Sequence, residues 1–206
     1  MDRQELRRAW DAVADDYART RRADGEDAAL IADLLETLPE AATVLDVGCG
    51  DGRRTLASLT GVGRIGLDLS SRQLELAAEN VPEAHLLQGE MTRLPLATNA
   101  VDAITAYHAV FHVPQTEHPA VYDEFARVLR PGGRLLATVG SSPYETTRHN
   151  WLGSGQSMFF STPGRRRTRN ALEAAGFELI WERVVDDPLG SSVPFVLAEH
   201  QGESSD

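Results

Sequence analysis

The chain contains no lysine, so all 20 of its basic residues are arginine. It has 31 acidic residues and a formal net charge of −11 at pH 7. This balance disfavours a nucleic-acid partner, because affinity for nucleic acid comes largely from basic side chains that neutralise phosphates. High salt screens the self-repulsion of an acidic surface, so we expect a halophilic protein. A GC-rich genome would also favour arginine over lysine, and this alternative stays open.

Cysteine and long apolar runs are also scarce. Cys49 is the single cysteine, which excludes a disulfide framework within the chain and a thiolate-rich metal site. No segment approaches the roughly 18 apolar residues of a membrane span. The charged start, residues 1–9, does not resemble a signal peptide. We therefore expect a cytoplasmic protein without a membrane partner and without a metal.

Predicted strands and helices alternate from about residue 40 of the 206-residue chain onward. This alternation favours an α/β fold with a doubly wound, mostly parallel sheet. Two helices are predicted before it, at 3–20 and 26–38, from apolar residues at helical spacing. The length allows one domain. We divide that domain into N-terminal helices (1–39), a core (40–139), a connection (140–163), and a last helix with two strands (164–200).

The element boundaries follow from short apolar runs and from caps. Strands are predicted at 43–47, 64–67, 85–88, 101–106, 133–139, 177–185 and 193–199. The last two are joined by a short, turn-rich link at 186–192, so they are expected to pair antiparallel. Helices are predicted at 53–59, 71–80, 117–129 and 165–175. Ser70 is expected to cap the second of these, and Pro163 to stand at the first helical position of the last.

The sharpest motif is Val44-Leu45-Asp46-Val47-Gly48-Cys49-Gly50-Asp51-Gly52, an apolar strand that runs into a glycine-rich turn. Glycines let the backbone turn tightly and approach a ligand closely. A dinucleotide fingerprint would need a third glycine at position 53, where Arg53 stands. The carboxylate of Asp46 would repel a pyrophosphate, whereas it suits a cofactor with a positive or hydrogen-bond-donating end. A nicotinamide-dependent oxidoreductase is therefore the weaker alternative.

A second acid, Asp68, ends the next predicted strand, 22 residues after Asp46. A carboxylate there is placed to accept hydrogen bonds from both hydroxyls of a ribose. Leu69 beside it could pack on a base. The alternative is that Asp68 only caps the helix that begins near Ser71.

Several motifs occur in the order seen in one enzyme family. They are the glycine loop at 44–52, Asp68, Gly89-Glu90-Met91-Thr92-Arg93-Leu94-Pro95-Leu96, Val101-Asp102-Ala103-Ile104, and Leu129-Arg130-Pro131-Gly132-Gly133-Arg134-Leu135. Together they resemble class I S-adenosylmethionine-dependent methyltransferases, and most of all the branch that includes ubiquinone and menaquinone biosynthesis methyltransferases. The resemblance covers roughly residues 40–140. It implies a seven-stranded sheet whose last strand is inserted antiparallel.

The same resemblance implies S-adenosylmethionine as the cofactor and S-adenosylhomocysteine as the product. Asp46, Gly48 and Gly50, with Cys49 between the glycines, would hold the methionine end. Asp68 and Leu69 would take the ribose and the base. Glu90 and Met91 would flank the adenine, although the family more often has aspartate at position 90. Tyr107 would line the sulfonium end.

The acceptor of the methyl group is expected to be a small molecule. His108 and His112 follow the fourth predicted strand, at the end of the sheet where a site would lie. They would share a face if that segment were helical. His112 is the first choice as a general base or acceptor ligand. The alternative is that its ring bonds to a nearby loop carbonyl.

Aromatic residues predict the walls of the acceptor pocket. The connection 140–163 has no clear period, and long connections of this kind are often functional. It carries Trp151, Met158 and Phe159, interpreted as pocket wall or lid, with packing against the sheet as the alternative. Trp10 and Tyr17 could close the opposite side, and a core-facing stripe is the competing interpretation for both.

Two other functions remain as alternatives to catalysis on a small molecule. One is a non-catalytic S-adenosylmethionine-binding module that acts through a partner. The other is methylation of nucleic-acid amino groups, which is disfavoured because Thr105-Ala106-Tyr107-His108 stands where an Asn/Asp-Pro-Pro-aromatic motif would be expected. The accepting atom (oxygen, nitrogen, carbon or sulfur) and the oligomeric state stay open at this point.

Overall fold

A seven-stranded sheet forms the centre of the computed structural model, which describes residues 1–20, 25–186 and 192–202. The described part of the chain forms nine strands in two sheets, namely β1 Thr43–Val47, β2 Gly63–Asp68, β3 His85–Gln88, β4 Val101–Ala106, β5 Leu129–Thr138, β6 Tyr144–Arg148, β7 Met158–Thr162, β8 Phe177–Asp186 and β9 Ser192–His200. In the large sheet their order is β3-β2-β1-β4-β5-β9-β8. β6 and β7 form a separate two-stranded sheet.

The large sheet is parallel except at one side. β9 runs antiparallel to both β5 and β8, and the other neighbours are parallel. The predicted fold class and the predicted antiparallel pair at the end of the chain are therefore confirmed. Most of the turn-rich link predicted between the last two strands, residues 187–191, lies outside the described residues.

Five helices surround the sheet in the described part of the chain: α1 Arg3–Thr20, α2 Asp27–Leu35, α3 Ser71–Asn80, α4 His118–Val128 and α5 Arg165–Ala174. α4 and α5 contribute to the core on one face, and α2 and α3 to the core on the other. Ser70 caps α3 as predicted, since its side chain accepts a hydrogen bond from the backbone N–H of Gln73. None of the described helices has the length and apolarity needed to cross a membrane.

The central strands are buried on both faces, as expected for parallel strands covered by two helix layers. On β1, Val44 faces one core cluster and Leu45 the other, and both are fully buried. The strand order reverses between β1 and β4, so the loops after these strands diverge to opposite faces. A crevice at the carboxyl ends of the strands is the usual ligand site in such sheets.

The helix predicted at 53–59 is wrong. The backbone after the glycine loop makes turns and only a short 3₁₀ segment, Leu56–Ser58. The N–H of Ala57 donates to the carbonyl of Gly52, five residues back, instead of four. The side chains of Arg54 and Thr55 reach away from the segment to Asp27 and Asp46. These tertiary contacts replace the regular helix that the local sequence predicts.

The connection 140–163 is not structureless. It contains the antiparallel pair β6–β7, with Tyr144 opposite Thr162 and Arg148 opposite Met158. The residues of β6 are all exposed, so the strand has no apolar alternation to reveal it. The prediction for Pro163 is also wrong, because α5 begins at Arg165 after Gly164, whose φ of 80° is left-handed and leaves Pro163 outside the helix.

Candidate functional site

A cavity of about 980 Å³ opens at the carboxyl ends of β1, β2 and β4. Its volume is in the range of small-molecule sites. It is covered by α1 on one side and by the β6–β7 hairpin on another. The predicted residues that line it are Trp10, Tyr17, Gly48, Gly50, Asp68, Leu69, Glu90, Met91, Tyr107, His108, His112, Trp151 and Phe159. Three predicted residues do not line it, namely Asp46, Cys49 and Met158.

The glycine loop has the geometry that requires glycine. Gly48 and Gly50 have φ angles of 72° and 56°, in the left-handed region. A Cβ placed on Gly48 would lie 2.5 Å from the Cβ of Ala109, which is too close for two carbon atoms. The backbone N–H of Gly48 donates to the carbonyl of Leu67 over 2.7 Å. The loop therefore lies close to β2 and to the segment after β4, and it presents bare backbone to the cavity.

Asp46 lies behind this loop and is 1% exposed. One carboxylate oxygen accepts a hydrogen bond from the hydroxyl of Thr105 over 2.7 Å, and the other accepts one from the hydroxyl of Thr55. Burial raises the pKa of Asp46 to about 6. In this arrangement the carboxylate connects β1 to β4 and to the turn after the glycine loop. Cys49 is likewise buried, and burial raises the pKa of its thiol.

Asp68 reaches the cavity from the end of β2. Its Oδ2 accepts a hydrogen bond from the N–H of Gly50 and its Oδ1 accepts one from the N–H of Ser70, both over 2.9 Å. Burial raises the pKa of this carboxyl group. The residue that caps α3 is Ser70, so Asp68 is not the helix cap of the alternative interpretation. Each oxygen retains lone pairs for a further donor.

Glu90 carries an ion pair that the sequence reasoning missed. The guanidinium of Arg3 lies 2.7 Å from Oε2 of Glu90, and it also contacts Glu117. Arg3 belongs to α1, so the pair links the start of this helix to the wall of the cavity. No local motif marks Arg3, because its partners are distant in sequence. The side chain of Tyr107 is fixed to the start of α2, because its hydroxyl donates a hydrogen bond to the carbonyl of Asp27 over 3.0 Å.

α1 is also fixed to the start of α3. Oδ1 of Asp11 accepts hydrogen bonds from the hydroxyl of Ser70 over 2.7 Å and from the N–H of Arg72 over 3.2 Å. The guanidinium of Arg72 in turn donates to both oxygens of Asp15. These contacts place α1 across the mouth of the cavity.

An aromatic cluster forms where α1 meets the hairpin. The ring of Trp10 lies 5.1 Å from that of Tyr17 and 5.3 Å from that of Trp151, between centroids. Phe160, from the aromatic stretch predicted as pocket wall or lid, lies 5.9 Å from Trp151 and under the guanidinium of Arg148. The predicted Met158 is instead fully buried beneath α1 with Leu6, Ala9 and Val13. The cluster forms an aromatic wall of the cavity.

His112 belongs to this wall, since its ring lies 5.1 Å from Trp10 and 4.9 Å from Phe160. Its Nδ1 is 2.9 Å from the carbonyl oxygen of Phe159. A carbonyl can only accept, so Nδ1 carries the proton and a neutral ring has its lone pair on Nε2. Burial lowers the pKa of His112 to about 4. The loop-carbonyl bond of the alternative interpretation is therefore present, and it leaves Nε2 unprotonated.

His108 also lines the cavity, but it does not share a helical face with His112. Its φ of 55° is left-handed, and only Val110–His112 form a short 3₁₀ segment. The backbone N–H of His108 donates to the hydroxyl of Thr138 over 2.7 Å, which holds the chain in this conformation.

The matching family model and two curated proteins that the chain resembles are all methyltransferases. Residues 44–133 match the methyltransferase domain family. Demethylmenaquinone methyltransferase from Bacillus licheniformis is 34% identical over 116 residues, which are 53% of this chain and 49% of that protein. Sterol methyltransferase-like 2 from Botryococcus braunii is 39% identical over 173 residues, covering 69% of this chain and 44% of that protein. The chain thus spans about half the length of these two relatives.

A solved structure supports the same fold. The 1,6-didemethyltoxoflavin-N1-methyltransferase of Burkholderia thailandensis superposes with a TM-score of 0.73 at 20% sequence identity. The likeness covers 96% of this chain and 88% of that one, whose structure contains 1,6-didemethyltoxoflavin and S-adenosylhomocysteine. At this level of identity, the likeness concerns the fold.

Proposed function

The chain belongs to the class I S-adenosylmethionine-dependent methyltransferases, and on that premise we propose that it transfers a methyl group from this cofactor to a small-molecule acceptor. The observation that carries the proposal is the pairing of Asp68 with the N–H of Gly50 at the floor of the cavity, within the stretch that matches the family. The carboxylate and the bare glycine backbone lie together at the carboxyl ends of β2 and β1, beside the point between β1 and β4 where the strand order reverses.

The residues present fit the cofactor. The loop of Gly48 and Gly50 presents bare backbone to the cavity, and this backbone takes the methionine end. Asp68 accepts hydrogen bonds from the ribose hydroxyls through its remaining lone pairs. Met91 and Leu69 lie on the same cavity and flank the adenine, with Glu90 near its amino group. When bound, S-adenosylmethionine supplies a methyl group already activated by a sulfonium.

Asp46 has a supporting role in this proposal. Both of its oxygens are engaged by threonine hydroxyls, and it does not line the cavity. It therefore acts on the methionine end through the position of the glycine loop. Tyr107, which does line the cavity, is placed at the sulfonium end by its hydrogen bond to the backbone of α2.

The aromatic wall forms the acceptor half of the cavity. Trp10 and Tyr17 from α1 pack against Trp151, which packs against Phe160, so that the four rings form one wall of the cavity. Aromatic faces hold a planar ligand by stacking and exclude water from the reaction. Since the methyl donor is already activated, alignment of donor and acceptor supplies much of the rate, on the order of 7–11 kcal/mol in favourable cases.

His112 is the proposed general base for an acceptor that must lose a proton. Its Nε2 lone pair is available whenever the ring is neutral, and the bond to Phe159 keeps the ring in that tautomer. With a pKa of about 4 the ring is neutral at physiological pH. This role favours an acceptor atom that bears a hydrogen, such as a hydroxyl oxygen or an amine nitrogen.

Calorimetric binding of S-adenosylhomocysteine tests the proposed cofactor site. The experiment compares the natural chain, Asp68→Asn, and Asp51→Asn as a matched loop acid that does not line the cavity. We expect binding by the natural chain, weakening by about tenfold or more in Asp68→Asn from the loss of charge-assisted hydrogen bonds, and little change in Asp51→Asn. The measurement is repeated in low and in multimolar KCl.

Other outcomes decide between the alternatives. Absence of S-adenosylhomocysteine binding in both buffers, with fluorescence enhancement of NADH, would favour a nicotinamide-dependent enzyme. Tight binding of S-adenosylhomocysteine without turnover on a broad panel of acceptors would favour a non-catalytic binding module.

A further inference from the structure

Arg148 brings a positive charge to the wall of the cavity without an acidic partner among the described residues. Most described arginines lie within ion-pair distance of a carboxylate. The other arginine that lines this cavity, Arg3, pairs with Glu90 and Glu117. The guanidinium of Arg148 instead lies over the ring of Phe160, 4.7 Å from its centre. In a chain with a net charge of −11, an arginine that no carboxylate neutralises needs a reason.

The hairpin places this charge among aromatic side chains. Tyr144, Thr146 and Arg148 alternate with the other residues of β6, so their side chains leave the same face of the strand. Thr146 is opposite Phe160 of β7, and the ring of Phe160 therefore belongs to that face as well. Burial raises the pKa of the Tyr144 hydroxyl, and the nearby charge of Arg148 partly offsets the rise. Tyr144, Arg148 and Phe160 all line the cavity, where they form one aromatic surface that carries a cation.

The donors of Arg148 are open to a ligand. A guanidinium has five N–H donors in a planar fork, and this fork matches the two oxygens of a carboxylate. No described residue accepts a hydrogen bond from the guanidinium of Arg148, which is exposed at the mouth of the cavity. One guanidinium neutralises one negative charge, so a carboxylate suits this acidic molecule better than a doubly charged phosphate.

We propose that the methyl acceptor is a planar aromatic acid whose carboxylate pairs with Arg148. The inference rests on the proposed function. The rings of the aromatic wall hold the aromatic part of the acceptor by stacking. His112 contacts the same ring as Arg148, at 4.9 Å between the centroids of His112 and Phe160, so a ligand of one or two rings reaches from the guanidinium to the proposed base.

The acceptor also carries a hydroxyl or amino group at its other end. The lone pair of that oxygen or nitrogen forms the new bond to the methyl carbon, and the methyl–sulfur bond breaks with its electron pair going to sulfur. The proton of the hydroxyl or amino group goes to Nε2 of His112, which is unprotonated in the tautomer that Phe159 fixes. Arg148 is thus a positioning residue, because it fixes the orientation of the acceptor and does not touch the reacting atoms.

Matched pairs of ligands separate the effect of the charge from that of the ring. The probes are 4-hydroxybenzoate with 4-hydroxybenzamide, and 6-hydroxy-2-naphthoate with its carboxamide. Each is titrated by NMR with and without S-adenosylhomocysteine, at the lowest KCl concentration at which the chain is folded, because salt screens an exposed charge. We expect each acid to bind about tenfold more tightly than its amide, as a charge-assisted bidentate pair would give.

Arg148→Gln tests the residue, and Arg167→Gln is its matched control. Arg167 is exposed, does not line the cavity and forms no ion pair with a described residue, and its replacement changes the net charge equally. We expect the ratio of acid to amide affinity to fall to about one in Arg148→Gln and to stay at its natural value in Arg167→Gln. Arg148→Lys, which keeps the charge without the fork, should retain part of the preference. A general disturbance of the wall would weaken acid and amide alike and leave their ratio unchanged.

Three outcomes would overturn the inference alone. They are equal affinities for acid and amide in the natural chain, failure of all four ligands to bind, and a preference for the acids that survives in Arg148→Gln. Failure of the natural chain to bind S-adenosylhomocysteine is measured separately from the preference for acids. That failure would overturn the proposed function and, with it, the acceptor role of any acid that binds at Arg148.

Discussion

At the scale of single residues, the bond from His112 to the carbonyl of Phe159 decides which ring nitrogen can act as a base. We expect nitrogen NMR shifts of His112 to show the Nδ1–H tautomer, with Nε2 unprotonated at neutral pH. The ring is expected to titrate with a midpoint of about 4, because burial disfavours its charged form.

The signals are assigned by their disappearance in His112→Gln. A proton on Nε2 at neutral pH, or a midpoint close to the ordinary histidine value of about 6.5, would remove the argument for a base at this position. The measurement needs no acceptor, so it does not depend on knowing the substrate.

The buried carboxyl group of Asp46 predicts a pH dependence of stability. Its pKa is raised from the ordinary value of 3.8 to about 6 in the folded protein, chiefly by burial. Between these values the folded state binds more protons than the unfolded state, so this contribution to stability is present at low pH and lost as pH rises through 6.

Asp46→Asn removes that dependence. The variant is expected to be more stable relative to the natural chain at pH 7 than at about pH 4.5. The difference in the free energy of unfolding between variant and natural chain should increase by about 2 kcal/mol from the lower pH to the higher. Urea unfolding at the two pH values measures it. His112→Gln provides the opposite control, because the lowered pKa of His112 makes its own contribution rise with pH. An equal difference at both pH values would contradict a raised pKa for Asp46.

At the scale of elements, strong local patterns predicted structure well and tertiary contacts explain the failures. β1, β4 and α1 have the predicted boundaries, since each is a short apolar strand or a helix with a clear stripe. β6 was missed because its side chains are exposed on both faces. The helix after the glycine loop was wrongly predicted because Thr55 turns inward to Asp46, a contact that no local pattern contains.

The position of α1 leads to a prediction about Asp11, whose Oδ1 joins α1 to Ser70 and Arg72 at the start of α3. Asp11→Ala should loosen the helix that covers the cavity. We expect faster amide hydrogen exchange across Arg3–Thr20 and a several-fold weaker affinity for S-adenosylhomocysteine, consistent with the loss of about 1–3 kcal/mol of charge-assisted hydrogen bonds.

Asp16→Ala is the matched control, because Asp16 pairs only with Arg19 of the same helix among the described residues. Exposed pairs of this kind contribute little. If both variants exchange at the rate of the natural chain, the contacts of Asp11 do not hold α1 in place.

At the scale of the whole molecule, the two halves of the cavity differ in how far the sequence reveals them. The proposed cofactor half comes from the contiguous motifs within 44–133, whose order is informative by itself. The proposed acceptor half joins Trp10 to Trp151 and Phe160, which are brought together only by the docking of α1 on the hairpin. The contacts of buried Asp46 with Thr55 and Thr105 also join different segments of the chain, and so required the structure.

The net charge of −11 predicts that salt stabilises the folded chain. Compaction brings like charges together, and salt shortens the Debye length from about 10 Å at 0.1 M to about 3 Å at 1 M. We expect the thermal unfolding midpoint to rise between about 0.1 M and 1 M KCl.

The control variant replaces Glu36, Glu40, Glu79 and Asp123 by their amides; all four are exposed and form no ion pair with another residue that the structure describes. Its midpoint should rise less with salt, since it has less repulsion to screen. An equal rise in both proteins would assign the effect to salt acting on apolar burial, and a falling midpoint would show that ion pairs such as Arg3–Glu90 outweigh the repulsion.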